Sequence, residues 1–270
     1  GEFVSLYLLF RLLKAWHIHP SRWAWYALNP LIFIETIGNI HFEGLMICFM
    51  FLFLWLLQQK RLWLAALPFA LAIATKLLPL MFLPLMIKRY GWRDAILWGS
   101  FVGVLCLLMF LPIFDRLTLL HMLDSVDLYF SRFEFNASLW YLLRTGFSLI
   151  GIYDLLYLAR PAMIILALLS ILIFTFREKN STLHNLPEAL MWVMSIYLIF
   201  ASIVHPWYLT SLVAFCLFTP YRWPLFWGFM VGITYVTYRV VPYDEWLWGV
   251  VIEYVAVLAW ILLKPQKWFK

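Results

Sequence analysis

The chain has 270 residues, of which 65% are hydrophobic and only 13% charged, with a formal net charge of +6. A water-soluble domain is nearer half apolar and a quarter charged, so this composition excludes an ordinary soluble core and points to an integral membrane protein. The excess of Lys and Arg falls in short clusters between apolar runs and forms no continuous basic face, which excludes a nucleic-acid-binding surface and fits a positive-inside pattern.

The expected elements are all helical. A membrane helix needs roughly 20 residues. Residues 1–15 read as the tail of a helix closing at Arg11 and Lys14, and the sequence is expected to lack an earlier helix and loop. Residues 23–38 are a second apolar segment interrupted at Asn29-Pro30, and 43–57 a third that stops at Gln58-Gln59-Lys60-Arg61. Residues 62–87 are apolar apart from Lys76 and carry Pro68, Pro79 and Pro84. A basic turn at 88–93 follows, then a clean span over 95–114. Residues 115–160 are mixed and polar. Within them, Leu119, Leu120, Leu123, Val126, Phe130 and Phe133 recur at three- and four-residue steps, predicting an amphipathic helix over 117–134 that lies on a membrane surface. Further apolar segments cover 161–176, 187–204, 206–219, 223–238 and 246–263, and the tail is basic.

All the basic loops share one side only if 62–87 folds back near Lys76 as a hairpin; one long helix kinked at Pro79 would invert every later loop. The positive-inside rule favours the hairpin. The outer face then collects Asn39, His41, Glu43, Lys76, all of 115–160, His205-Pro206-Trp207-Tyr208, and Arg239 through Glu245. The inner loops are short and basic.

Several constellations on that face could carry chemistry. Glu35, Asn39 and Glu43 are spaced four apart, with Gly38 expected to break the helix into a turn. Ionisable groups at membrane depth are costly, which makes them functional candidates. Lys76 offers a point charge to a phosphate, although it could also simply snorkel. His205-Pro206 opens a helix whose free amides, with the His and Tyr side chains, suit an anion. Arg239 is a candidate phosphate ligand at a helix end, whereas Asp244 and Glu245 read as a solvated loop. Glu253 sits about two turns into the last span with no evident partner. Asn136-Ala137-Ser138 has the form of a glycosylation sequon. Cys48, Cys106 and Cys216 lie in apolar runs with no metal-site spacing.

Taken in order, Tyr26-Ala27-Leu28-Asn29-Pro30, Glu35 with Gly38-Asn39-Ile40-His41-Phe42-Glu43-Gly44, Ala74-Thr75-Lys76-Leu77-Leu78-Pro79 with Pro84, and His205-Pro206-Trp207-Tyr208 resemble the multi-pass GT-C glycosyltransferases. The likeness is strongest to the bacterial mannosyltransferase-like branch, the glycosyltransferase family 87-like group, and spans most of the chain. It implies a single GT-C-like transmembrane domain over 1–270 in the cell inner (plasma) membrane, with the active face periplasmic or extracellular. A sugar, mannose in the first instance, would pass from a polyprenyl-phosphate donor to a glycan or glycolipid acceptor with inversion. The family's catalytic acid lies in a first outer loop, which would fall upstream of residue 1; Glu43 is a lesser candidate. Carried onto matching positions, Asn39, His41 and Glu43 would line the sugar or acceptor site, and Lys76, His205 and Tyr208 the donor phosphate, with Trp207 beside them and Arg239 added on charge and location. The departing group is already an anion, so no metal or other cofactor is expected. The absence of a Gly-rich nucleotide loop fits a lipid donor. A transporter or flippase of lipid-linked glycans, or a non-catalytic assembly subunit, are the alternatives; an acidic outer loop upstream would favour the enzyme.

Overall fold

The computed structural model describes residues 1–113, 115–127, 133–239 and 244–263. Among these, regular structure is helical, and the one β-like contact is an isolated parallel bridge between Phe135 and Ile203. Helix α1 (Glu2–Ala15) and the short α2 (Arg22–Ala27) lead to α3 (Pro30–Ile32), which runs into a π-helical turn, Phe33–Gly38. Asn29 caps α3: its side-chain oxygen accepts from Leu31 N at 3.0 Å and Ile32 N at 3.5 Å, and Pro30 at the first position gives up an N–H that no helix could use. The chain then bends by 109° into α4 (Glu43–Gln58). Ile40 takes a positive φ of 56° inside that bend. The expected turn is therefore present, and Glu43 leaves the face that Glu35 and Asn39 share.

Helices α4 and α5 (Leu62–Thr75) form an antiparallel pair joined by a three-residue link, with Phe53 packed on Phe69 at 4.9 Å between ring centroids. Gly44 permits the close approach at the other end of α4, because an added Cβ would lie 2.9 Å from Thr36 Cβ. After α5 the chain extends at Lys76, turns through a 3-10 segment, Leu78–Phe82, and enters α6 (Pro84–Phe110). Gly91 interrupts α6 with φ 78° and ψ 165°, a region that only glycine visits freely. Beyond it, Trp98 Nε1 donates to Leu62 O at 2.9 Å and Cys106 Sγ to Ala70 O at 3.7 Å. Later residues of α6 thus meet later residues of α5, so the two run parallel. The chain must reverse twice between Thr75 and Trp92, as the expected hairpin requires.

Helix α7 (Arg116–Asp127) covers the first part of the predicted 117–134; residues 128–132 lie outside the described set, and 133–134 are not helical. Leu117, Leu119, Leu120 and Met122 are exposed, as an unpartnered surface helix would leave them. The stretch read as one outer loop, 115–160, also contains α8 (Leu139–Leu149) and the first turn of α9 (Leu156–Arg177), so the following span begins earlier than residue 161. Helices α10 (Leu186–Phe200), α11 (Tyr208–Cys216), α12 (Trp223–Met230) and α13 (Leu247–Leu263) complete the described chain.

Among the described residues, two helical runs, Pro84–Ile113 and Leu156–Arg177, are long and apolar enough to cross a membrane, or three if the bent pair Pro30–Gly38 and Glu43–Gln58 counts as one. The expected spans over 206–219 and 223–238 are corrected to shorter pieces: α11 has 9 residues, α12 has 8, and a 3-10 segment, Val231–Arg239, follows. Apolar composition set those boundaries in the sequence; turns that need no polar residue set them in the structure.

Candidate functional site

The polar end of the bundle is assembled from helix ends. Glu43 at the start of α4 is 1% exposed and accepts from the Lys76 ammonium at the end of α5. That ammonium lies 4.3 Å from the ring centroid of Tyr208 at the start of α11, a cation–π contact. Burial draws Lys76 down from the ordinary lysine range. His41, from the bend before α4, stacks on Trp207 at 4.0 Å and 22°, and His205 stacks on Trp207 at 4.1 Å and 17°. The indole contacts both imidazoles, which ties the 38–42 bend to the 201–207 connection. His205 is 5% exposed; burial lowers its pKa to about 3, with Lys76 and His41 adding to the effect. His41 is lowered by its burial, with Glu35 opposing and Lys76 adding.

Glu35 anchors the rest. It is fully buried, accepts from Asn39 Nδ2 at 3.0 Å and from the Tyr235 hydroxyl, and sits 3.3 Å from His41 Nε2. Asn39 therefore reaches the cluster through Glu35 and His41. Of the sequence candidates, the structure brings together His41, Glu43, Lys76, His205, Trp207 and Tyr208, with Asn39 at one remove. Arg239 ends the 3-10 segment with an exposed side chain and, among the described residues, joins none of these contacts. Charge at a helix end is a weak guide to where that end points.

A cavity of about 570 Å³ opens beside this cluster. Its walls are mostly apolar, including Leu80, Met81, Met163, Ala167, Leu168 and Ile171, while Lys76, Tyr208, Ser202 and Arg160 supply its polar groups. A second cavity of about 400 Å³ shares Trp140 and Arg160 with the first and adds Glu134, Arg144 and Tyr157. Glu134 accepts from both Arg144 and Arg160, and the Arg160 guanidinium lies 4.7 Å from the Trp140 ring centroid.

These residues escaped sequence reasoning. Glu134, Arg144 and Arg160 fall within the mixed polar stretch 115–160 and are not singled out there. The one available signal was Arg160 directly before an apolar run at Pro161. Glu245, read as solvated, is corrected too: burial raises its pKa, and it accepts from the Tyr141 hydroxyl and the Asn136 N–H. Asn136 is fully buried with its amide on Glu253 at 3.1 Å, so the sequon-like triplet is a packing element. Among the described residues, no group of three or more His, Cys, Asp or Glu is placed to hold a metal ion.

Residues 1–90 match a family model described as the MptA_B family, alpha-(1->6)-mannopyranosyltransferase, N-terminal domain. The match covers a third of the chain and is a similarity to that N-terminal domain. The match takes in the Asn29-Pro30 cap, the Glu35–Gly44 bend and Lys76, that is, every part of the cluster except His205, Trp207, Tyr208 and Tyr235. No curated protein matches the chain.

Proposed function

We propose that the chain is a multi-pass GT-C-like membrane domain that transfers mannose from a polyprenyl-phosphate donor to an acceptor hydroxyl at the outer face of the cell membrane. The observation that carries this reading is one juxtaposition: an apolar cavity of about 570 Å³ walled in part by Lys76 and Tyr208, beside the buried Glu43–Lys76 pair and the His41–Trp207–His205 stack. A prenyl chain needs apolar walls. The phosphate it carries needs cations and N–H or O–H donors, and sugar hydroxyls need carboxylate and amide partners. The likeness of residues 1–90 to a mannopyranosyltransferase domain supports mannose as the sugar.

In the reaction, an acceptor oxygen forms a bond to the anomeric carbon while the bond from that carbon to the phosphate oxygen breaks. The electron pair leaves with the phosphate, and the acceptor proton goes to a carboxylate. Glu43 is the carboxylate of the cluster that borders the cavity through Lys76, and a general base must stand within hydrogen-bond reach of the proton it takes. An acid in a preceding loop is the alternative holder of that role. His205, whose pKa burial lowers to about 3, suits hydrogen bonding better than proton storage near neutral pH.

The test is transfer from a radiolabelled polyprenyl-phosphate mannose by the intact protein in lipid. Transfer is expected, with E43Q slower by roughly 10²-fold or more if Glu43 is the base and still folded by its thermal midpoint. Wild-type turnover in E43Q removes Glu43 from the chemistry. No transfer to any glycan or glycolipid acceptor removes the enzyme reading.

A further inference from the structure

The cation best placed for a lipid phosphate is not the one that sequence order suggests. Lys76 has the Glu43 carboxylate to itself and rests on the Tyr208 ring, so its charge is already answered. Arg160 must share Glu134 with Arg144. The other acid of this region, Glu245, takes its hydrogen bonds from the Tyr141 hydroxyl and the Asn136 backbone. Arg160 also donates one N–H to the Phe133 carbonyl at 3.3 Å, which leaves donors of its five-donor fork unused.

The second observation is independent of charge. Trp140 is 2% exposed, lies on the wall common to both cavities, and its Nε1–H is buried without a hydrogen-bond partner among the described residues. A buried donor left unpaired costs about 1–3 kcal/mol, and a phenylalanine there would avoid that cost. A buried indole N–H left without a partner, on a residue that lines both cavities and carries a guanidinium over its ring, is what an anionic oxygen would complete.

We propose that Arg160 and the Trp140 N–H hold the phosphate of a polyprenyl phosphate whose chain lies along the apolar wall of the larger cavity, with Arg144 reinforcing the site through Glu134. The assignment rests on the lipid-donor reading above. It moves the phosphate to α8 and α9 and leaves the Glu43–Lys76 pair for the sugar or acceptor. A purely structural role for the arginines, fastening residues 133–134 to α8 and α9, accounts for Glu134 but not for the unpaired indole donor.

Binding separates these alternatives. The intact protein in lipid nanodiscs would be titrated with a polyprenyl phosphate and, in parallel, with the matching uncharged polyprenol; millimolar inorganic phosphate would serve as competitor. The wild type is expected to bind the phosphate-bearing lipid at least about tenfold more tightly, charge-assisted hydrogen bonds being the strong ones, and inorganic phosphate is expected not to displace it. R160Q should bring its affinity down to that of the polyprenol. W140F keeps the ring and removes only the orphaned donor, so it should weaken lipid-phosphate binding about three- to tenfold with a thermal midpoint unchanged or raised. E134Q frees both guanidiniums and should tighten binding, by about threefold; this variant keeps the test decisive if R160Q does not fold.

Wild-type affinity in R160Q or W140F, unchanged or weaker binding in E134Q, or displacement by free phosphate overturns the assignment. Arg160-dependent binding with no sugar transfer keeps this site and removes the transferase reading. Transfer indifferent to R160Q and W140F does the reverse.

Discussion

Glu253 is fully buried in α13. Its Oε1 accepts from Trp227 Nε1 at 2.7 Å and Asn136 Nδ2 at 3.1 Å, while its Oε2 and Asn136 Oδ1 have no partner among the described residues. Both donors are neutral, and no Lys or Arg pairs with the carboxyl. The side chain therefore serves as an acceptor that pins the 133–138 segment and α12 to α13. E253Q retains that acceptor and is expected to stay within about 1 kcal/mol of wild-type stability. E253A leaves two buried donors unpaired and is expected to lose roughly 2–5 kcal/mol. Denaturation in detergent with both variants decides the matter: equal losses would mean that the carboxylate charge, not its shape, is what the fold uses. That Glu253 was interior was legible from its position in an apolar run. Its partners were not, because Asn136 is 117 residues away and looked like the start of a surface triplet.

At the scale of elements, composition located the helices but not their ends. Lys76, Glu43 and His205 were readable as helix-end residues because ionisable groups interrupt otherwise apolar sequence. The reversal at Lys76 was legible from the alternation of basic loops. The breaks within 206–238 were not, since Leu217 and Phe218 are as apolar as the helix they end, and the 3-10 run after Met230 opens on the uninterrupted Val231-Gly232-Ile233. The clustering of His41 with Trp207 was legible only as a shared membrane face; their stacking depends on the 109° bend between the π turn and α4. Gly91 is the sharpest local requirement. Its φ of 78° and ψ of 165° turn the chain between the return segment and the span, yet a methyl group added there would meet nothing within 4 Å. The cost of a side chain at this position is purely that of the backbone. G91A is expected to destabilise by about 1–3 kcal/mol, whereas G99A, also with open space but in regular helix, should be neutral or stabilising by up to about 1 kcal/mol. Thermal midpoints of the two variants in the same detergent provide the comparison; equal responses would mean that Gly91 is not the hinge.

Across the whole molecule the helix ends sort into two chemically different layers. One layer holds Glu35, His41, Glu43, Lys76, Asn136, His205 and Glu245, linked by the contacts already described. The opposite layer is basic and is tied together just as directly. Trp16 Nε1 donates to Gln58 at 2.6 Å, which sets the end of α1 beside the end of α4 and the Lys60-Arg61 link. Trp98 reaches Leu62 O, Arg89 forms a bidentate pair with Glu178 after α9, and Arg22 donates to the carbonyls of Leu217 and Thr219 beyond α11. A positive-inside bias acts on loops, and here the loops it would act on meet at one end of the folded bundle. That end is expected to face the cytoplasm and the cavity end the outside. Single cysteines at Ile40, Lys60 and Trp92, each exposed, test this with a membrane-impermeant maleimide. Cys48 and Cys216 are buried and Cys106 is half-buried, so replacing Cys106 keeps the background low. Position 40 should label in intact cells, and positions 60 and 92 only after permeabilisation. Labelling of 60 and 92 on opposite sides would contradict the double reversal around Lys76 and Gly91, and labelling of 40 and 60 together would remove the membrane from between the two layers.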